Sequence, residues 1–353
     1  MVSEVDAHTV PANYGDTAAE YATVRNGSAG LIDLSDRGRI LVSGSEAVMF
    51  LNGLITNDVK TLAENSWMPA AFPNVQGRLL AAVRVIHRRD GFLIDTEGPT
   101  HAAVLKIVER FTLAGDFRVT DLSDHTAMFS IQGQSAQQVI RATLDEPAAS
   151  VERQQAASLK LSDGREVTVI RATHTAEDGF DLFVDAAGAP ALWKAFIAAG
   201  ARPAGFEALE ILRIEAGIPR FGVDMDETNV VTEANLDEAV SFTKGCYIGQ
   251  EIIARIKYRG HVAKKLTGLL FDTNSDGQTL APGAEVHSLD DKVIGRITSA
   301  TFSPQCGRRV ALGYVKYDHL NAGTRVRIAT AGKEVDGEVV ELPFVRGSWY
   351  GSG

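Results

Sequence analysis

A chain of 353 residues with 45% hydrophobic and 23% charged residues is long enough for two or three domains that each bury a core, and its composition excludes disordered and fibrous classes. The formal net charge of −10 argues against general affinity for nucleic acid or anionic membranes, which rests on cationic surface. Two cysteines, Cys246 and Cys306, are too few for a disulfide framework or a four-cysteine metal site. With no basic-then-apolar leader and no apolar run near the roughly 20 residues of a membrane span, the cytoplasm is the expected compartment.

In chain order, Gly38–Ser43 (GRILVS) reads as a strand with Ile40 and Val42 on its buried face. Gly44 and Ser45 turn the chain, and Val48, Phe50, Leu51 and Leu54 predict a helix from Glu46 to about Thr56-Asn57-Asp58. Strands are expected at Trp67–Phe72 and Leu79–Ile86 around a turn at Asn74–Gly77, then a helix capped by Thr100 and running to about Phe111. Met128–Ile140 (MFSIQGQSAQQVI) repeats the strand–Gly–helix pattern: aligning Gly44 with Gly133 also aligns Ala47 with Ala136, which suggests two related α+β units in tandem. A hairpin closed at Asp163-Gly164 and helices over Ala191–Ala199 and Gly205–Gly217 follow. Beyond about Leu266 the runs Leu266–Phe271, Lys292–Thr298, Arg309–Val315 and Thr324–Ala329 are short, apolar and separated by turn residues, the pattern of an antiparallel barrel, with Thr273–Gly283 as a loop. The expected fold is α+β, with modules over 1–125, 126–262 and 263–353.

Two segments carry chemistry. In FEALEILRIEAG, Ala208, Ile211, Leu212 and Glu215 share one helical face, so a carboxylate ends an apolar stripe. Glu215 either accepts the paired N–H donors of a planar heterocycle or is salt-bridged at a helix end; Arg213 is too close in sequence to face it. In KGCYIGQE, Cys246 stands between Gly245 and Gly249 with Lys244 upstream and Gln250 and Glu251 downstream. It is either an approachable thiol that the lysine activates or a small buried hydrophobe. The run ARIKYRGHVAKKL, with Arg255, Lys257, Arg259, Lys264 and Lys265, is either an anion site or a solvated face. His174 and His261 read as satisfied or exposed rather than ligating, Cys306 as structural, and scattered histidines give no metal site.

KGCYIGQE with its Tyr247 resembles the signature of the YgfZ-like folate-binding proteins, and LRIEAGIPRFGVDM and EANLDEAVSFT resemble that family's flanking sequence. LITNDV (54–59), TAEDGFDLFV (175–184) and residues 298–314 are similar to the wider glycine-cleavage T-protein superfamily, so the resemblance spans nearly the whole chain. It implies a three-module ring holding tetrahydrofolate in a central channel, with Glu215 on the pterin and Asn57 near the channel lining; the basic run, five cations in an otherwise acidic chain, is expected to hold the folate tail or an acidic partner through residues such as Arg255 and Arg259. The resemblance further implies Cys246 and Lys244 as the reactive pair in a protein supporting iron–sulfur enzymes, with cluster proteins or carriers as partners. A transferase or demethylase, and a non-catalytic folate sensor, are the alternatives. The superfamily's paired catalytic aspartates fall on Ala81 and Ala82, which removes a proton-transfer group; Asp95 is the nearest substitute and reads as a turn residue.

Overall fold

The computed structural model describes residues 10–110, 115–161, 164–271, 280–330 and 333–351. Two α+β modules and a barrel are present. The first module is a five-stranded antiparallel sheet in the order Ser66–Pro73, Leu79–Arg88, Gly91–Thr96, Gly38–Ser43, Arg118–Asp121. The helices Ala47–Leu54 and Gly98–Glu109 contribute Leu51 and Val104 to a core with Ile40, Val83 and Ile94. In Leu79–Arg88 burial alternates from Leu79 to Val85, as one face of a pleated strand must. The helix after Gly91–Thr96 begins at Gly98, before Thr100, because Pro99 has its φ pre-set for a helix and lacks only an N–H that would have no acceptor within the helix. Its expected end at Phe111 lies outside the described residues.

The second module repeats this plan. Its sheet runs Arg202–Pro203, Gly30–Asp33, Thr126–Gln132, Gly179–Asp185, Glu166–Arg171, Ala156–Lys160, over a core that includes Leu31, Phe129, Phe180 and Phe196. Gly44 and Gly133 occupy equivalent places after a strand and before the helices Ala47–Leu54 and Ala136–Thr143, both with positive φ, 111° and 133°. A Cβ on either would lie 2.4 Å from the Asp116 carbonyl oxygen or 2.2 Å from that of Ser28, so the repeat needs glycine at both. The modules are not contiguous in sequence: Gly30–Asp33 crosses over to pair with Thr126–Gln132 in the second sheet, whereas periodicity suggests a first module running unbroken from residue 1 to 125. Asp163 and most of the Thr273–Gly283 loop lie outside the described residues.

The C-terminal strands close a six-stranded barrel in the order Lys264–Phe271, Arg308–Lys316, Val293–Ser303, Glu285–His287, Arg325–Thr330, Lys333–Val340. Leu269, Phe271, Val286, Ile297, Val326 and Val339 fill it. The three modules meet around the helix Phe206–Glu215: Ile214 packs on Leu266, Leu312 and Tyr314 of the barrel, while Ala208 and Leu212 pack on Tyr21 and Val24. The two α+β sheets face each other through Ile32, Ile86, Leu93, Met128 and Phe183. Among the described residues no helix is long and apolar enough to cross a membrane.

Candidate active site

A cavity of about 420 Å³ opens where both α+β modules meet the Phe206–Glu215 helix and the loop after it. Leu34, Phe206, Leu209 and Phe221 give it an apolar wall, and Arg37, Glu97, His174, Glu210 and Arg220 give it a polar one. Arg220 lies over the Phe206 ring, 4.7 Å from its centroid, and its Nη1 donates to Glu210 at 3.0 Å. Arg213 also donates to both Glu210 oxygens, and to Asp224 at 2.5 Å. Asp224 in turn accepts from Thr298 and Ser299 of the barrel, which anchors the loop. Glu210 is thus held at the cavity by two guanidinium groups, partly exposed and available to a ligand's N–H donors.

Behind the polar wall a buried chain of charge joins the modules. Arg37 grips Asp95 with two bonds of 2.7 and 2.9 Å and Glu97 with one of 2.5 Å. Arg84 bridges Asp95 at 2.7 Å to Asp181 at 2.5 Å, and His174 Nε2 lies 2.9 Å from the same Asp181 oxygen. Burial alone would raise the Asp95 carboxyl, but Arg37 and Arg84 outweigh it and hold the group at about 2. The same opposition, with His174 and Arg84 as the partners, holds Asp181 far below the ordinary range. Asp95 is therefore a strand residue within Gly91–Thr96, clamped by two arginines, and neither a turn residue nor a free base.

Glu215 lies elsewhere. It has no exposed surface, and its oxygens accept from Tyr21 at 2.9 Å, from Arg25 Nε and Nη2 at 3.1 and 2.8 Å, and from Ser303 at 2.5 Å. Burial and the Glu215 charge push the Tyr21 phenol well up, so it stays a donor. Arg25 continues to Glu177 at 2.9 Å, and Glu177 accepts from the backbone and hydroxyl of Ser348. The carboxylate that the helical stripe singles out is thus spent on binding the barrel to the second module, and does not line the cavity. Only residues distant in sequence satisfy it, so no local spacing could reveal the arrangement.

The KGCYIGQE segment forms a knot against the first module. Lys244 is buried, and its Nζ donates to the carbonyls of Ile55 and Asn57 at 2.9 and 2.6 Å. Burial pushes its ammonium down to about 8, opposed by Asp58. The ammonium is committed to the 54–58 loop and not to the thiol. Asn57 donates to the carbonyls of Pro69 and Glu238 at 2.8 and 3.0 Å, so it too ties segments together away from the cavity. Gly249, at φ 77°, comes so close to the Asn74–Gly77 turn that a Cβ would lie 2.4 Å from the Asn74 oxygen, whereas Gly245 has open space around it. Tyr247 is buried and Gln250 reaches back to the Lys244 and Gly245 carbonyls, while Cys246 and Glu251 are exposed. Cys306 donates its N–H to Ser303 at 3.0 Å. Arg255, Lys257 and Arg259 lie exposed on the helix Gln250–Arg259.

Ala81 is fully buried in the first module's core. Ala82 packs with Ala71, Met225, Phe221 and Tyr247 in an apolar cluster beside the cavity wall. Among the described residues no three His, Cys, Asp or Glu side chains converge as a metal site.

Two related α+β modules, a closed antiparallel barrel and a cavity where the two modules meet the Phe206–Glu215 helix define the class of scaffold. The description of the GCVT N-terminal domain matches residues 2–244, and that of the glycine cleavage T-protein C-terminal barrel domain matches residues 264–346. An aminomethyltransferase of Rubrobacter xylanophilus is 31% identical over 338 residues, covering 96% of this chain and 88% of the relative. One of Thermotoga neapolitana is 30% identical over 349 residues, covering 96% and 92%. The crystal structure of the glycine cleavage system aminomethyltransferase T from Bartonella henselae superposes with a TM-score of 0.87 at 25% identity, covering 96% of this chain and 92% of that one. The chain belongs to the glycine cleavage T-protein family, whose members use tetrahydrofolate.

Proposed function

We propose that this protein is a tetrahydrofolate-binding one-carbon transferase of the aminomethyltransferase type, with the folate ring system in the inter-module cavity. The observation that carries the reading is that cavity's lining: the apolar side chains of Leu34, Leu209 and Phe221 together with a Glu210 carboxylate held by Arg213 and Arg220. A planar, apolar-faced heterocycle with paired N–H donors is the ligand such a wall complements. The place that the sequence pattern gives to Glu215 passes to Glu210, one turn and a half earlier on the same helix. Arg255 and Arg259, exposed on their own helix, remain candidates for the acidic tail of a polyglutamylated folate or for an acidic partner. Calorimetric titration with tetrahydrofolate, in parallel with transfer from an aminomethyl thioether, tests the reading; absence of a saturable site would sink it.

A second reading places the chain in the YgfZ-like branch, cytoplasmic and supporting [4Fe–4S] enzymes, with Cys246 as the working group. The observation favouring it is the exposure of that thiol beside Gly249, whose backbone packs closely on the Asn74–Gly77 turn. One thiol cannot hold a cluster alone, so any cluster contact would be shared with a partner protein. Activity of a [4Fe–4S] enzyme in cells lacking the native protein, complemented with wild type or Cys246→Ser, tests it. Full complementation by the serine form would return the cysteine to a structural role.

A further inference from the structure

The cavity has a proton-transfer problem. Ala81 and Ala82 present no carboxylate, Asp95 is clamped by Arg37 and Arg84, Glu97 is paired with Arg37, Glu210 with Arg213 and Arg220, and Asp36, which also lines the cavity, is solvent-exposed with no buried partner to orient it among the described residues. His174 differs from all of these. It lines the cavity; its Nε2 contacts Asp181 at 2.9 Å, and its Nδ1 has no hydrogen-bond partner among the described residues. Asp181 has no exposed surface and, with Arg84 at 2.5 Å, is held as an ionised carboxylate. An ionised carboxylate only accepts, so the neutral imidazole must carry its proton on Nε2, leaving a lone pair on Nδ1. The position is also fixed: the His174 N–H donates to Gln132 Oε1 at 3.0 Å, and Gln132 is itself fully buried.

We propose that His174 is the proton-transfer residue of this cavity and Asp181 its positioning partner, together standing in for the absent aspartates. This rests on the transferase reading above. Nδ1 of His174 takes the proton from the attacking nitrogen of the one-carbon acceptor as that nitrogen's electron pair forms the new bond to carbon. The carbon is a methylene flanked by two heteroatoms. Its bond to the leaving heteroatom breaks with the electron pair on the leaving atom, and the imidazolium returns the proton there, so nothing is oxidised or reduced. Asp181 balances the transient imidazolium charge, an arrangement that contributes on the order of 10²–10⁴-fold. The charged groups facing His174 are Asp181 on the strand that follows its loop and Arg84 on the facing sheet; Asp36, Arg37, Glu97, Glu210, Arg213 and Arg220 surround the same cavity.

The experiment uses the full chain with tetrahydrofolate and an aminomethyl thioether of a small thiol. Three readouts are taken on wild type, His174→Gln, His174→Ala and Asp181→Asn: tetrahydrofolate affinity, protons exchanged on binding from titrations in buffers of different ionisation enthalpy, and the pH profile of transfer. His174→Gln is expected to bind tetrahydrofolate within about threefold of wild type while losing the binding-linked proton, the acid limb of the profile and roughly 10²-fold or more in transfer. Free imidazole should restore part of the transfer to His174→Ala, which a merely structural histidine would not allow. Asp181→Asn should lower transfer while leaving affinity. If the glutamine form keeps wild-type proton exchange and pH profile, the inference is overturned and the transferase reading stands. If wild type does not bind tetrahydrofolate, that reading falls and takes this one with it.

Discussion

Glu210 and Glu215 lie on one helix five residues apart, and their surroundings make them different chemical objects. Glu215 faces the barrel with every lone pair taken by Tyr21, Arg25 and Ser303 and no surface exposed. Glu210 faces a cavity, steadied by Arg213 and Arg220 on one side and open on the other. The lesson is that a carboxylate closing an apolar stripe marks a place where charge must be compensated, not a place where a ligand binds. Compensation came here from Arg25, which is 190 residues distant in sequence.

That contrast can be broken at either end. The largest expected effect is on the Glu215 side: Glu215→Ala leaves the Arg25 guanidinium buried beside Glu177 alone, and removing one partner of a buried pair costs roughly 3–5 kcal/mol. Urea unfolding should show that loss as a lower midpoint at unchanged slope; a variant as stable as wild type would contradict the structural role. On the other side, Glu210→Gln keeps the shape and removes the charge. Tetrahydrofolate affinity should fall by roughly 1.5–3 kcal/mol, the worth of hydrogen bonds to a charged group, with little change in melting temperature.

The Arg37–Asp95–Arg84–Asp181 chain sharpens the comparison through pH. Asp95 sits at about 2 in the fold and near 3.9 when unfolded. The unfolded chain therefore binds the proton first as pH falls, and stability present above about pH 4 is lost as pH drops through 2. This one group contributes roughly 2 kcal/mol, and Asp181, held lower still, adds loss in the same direction. Unfolding free energies measured from pH 5 to 2 should fall accordingly, and Asp95→Asn should flatten the curve. The smallest effect belongs to Cys246→Ser: the thiol is exposed, so stability should stay within about 0.5 kcal/mol and folate affinity should not move. A larger loss of stability would mean the thiol packs in the knot.

Much of this was legible in the sequence, and the limits have physical causes. Residues 40–43 and 79–85 show period-two burial, and the barrel strands are punctuated by turn residues, so local chemistry suffices to place them. The repeat was visible through Gly44 and Gly133 because close backbone approach tolerates no other residue there. The crossover of Gly30–Asp33 into the second sheet was not legible, since a strand's pattern says which face is buried but not which neighbour it pairs with. At the site, the KGCYIGQE motif did mark an exposed thiol, but Lys244 and Asn57 turn out to hold loops, with ammonium and amide spent on carbonyls. Nothing in the spacing of Phe206, Glu210 and Arg220 shows that they face a cavity formed where two modules meet one helix and its following loop. His174 reads in the sequence as a satisfied or exposed histidine, and its contact with Asp181, which Arg84 also grips, is visible only in the folded chain.

The central claim, that the inter-module cavity is the folate site, is tested most directly by a crystal structure of the chain with tetrahydrofolate bound. The account predicts the ring system between Phe206 and Phe221 with its N–H donors on Glu210. A ring system bound instead beside Cys246 or on the Arg255–Arg259 helix, with the cavity unchanged, would contradict it.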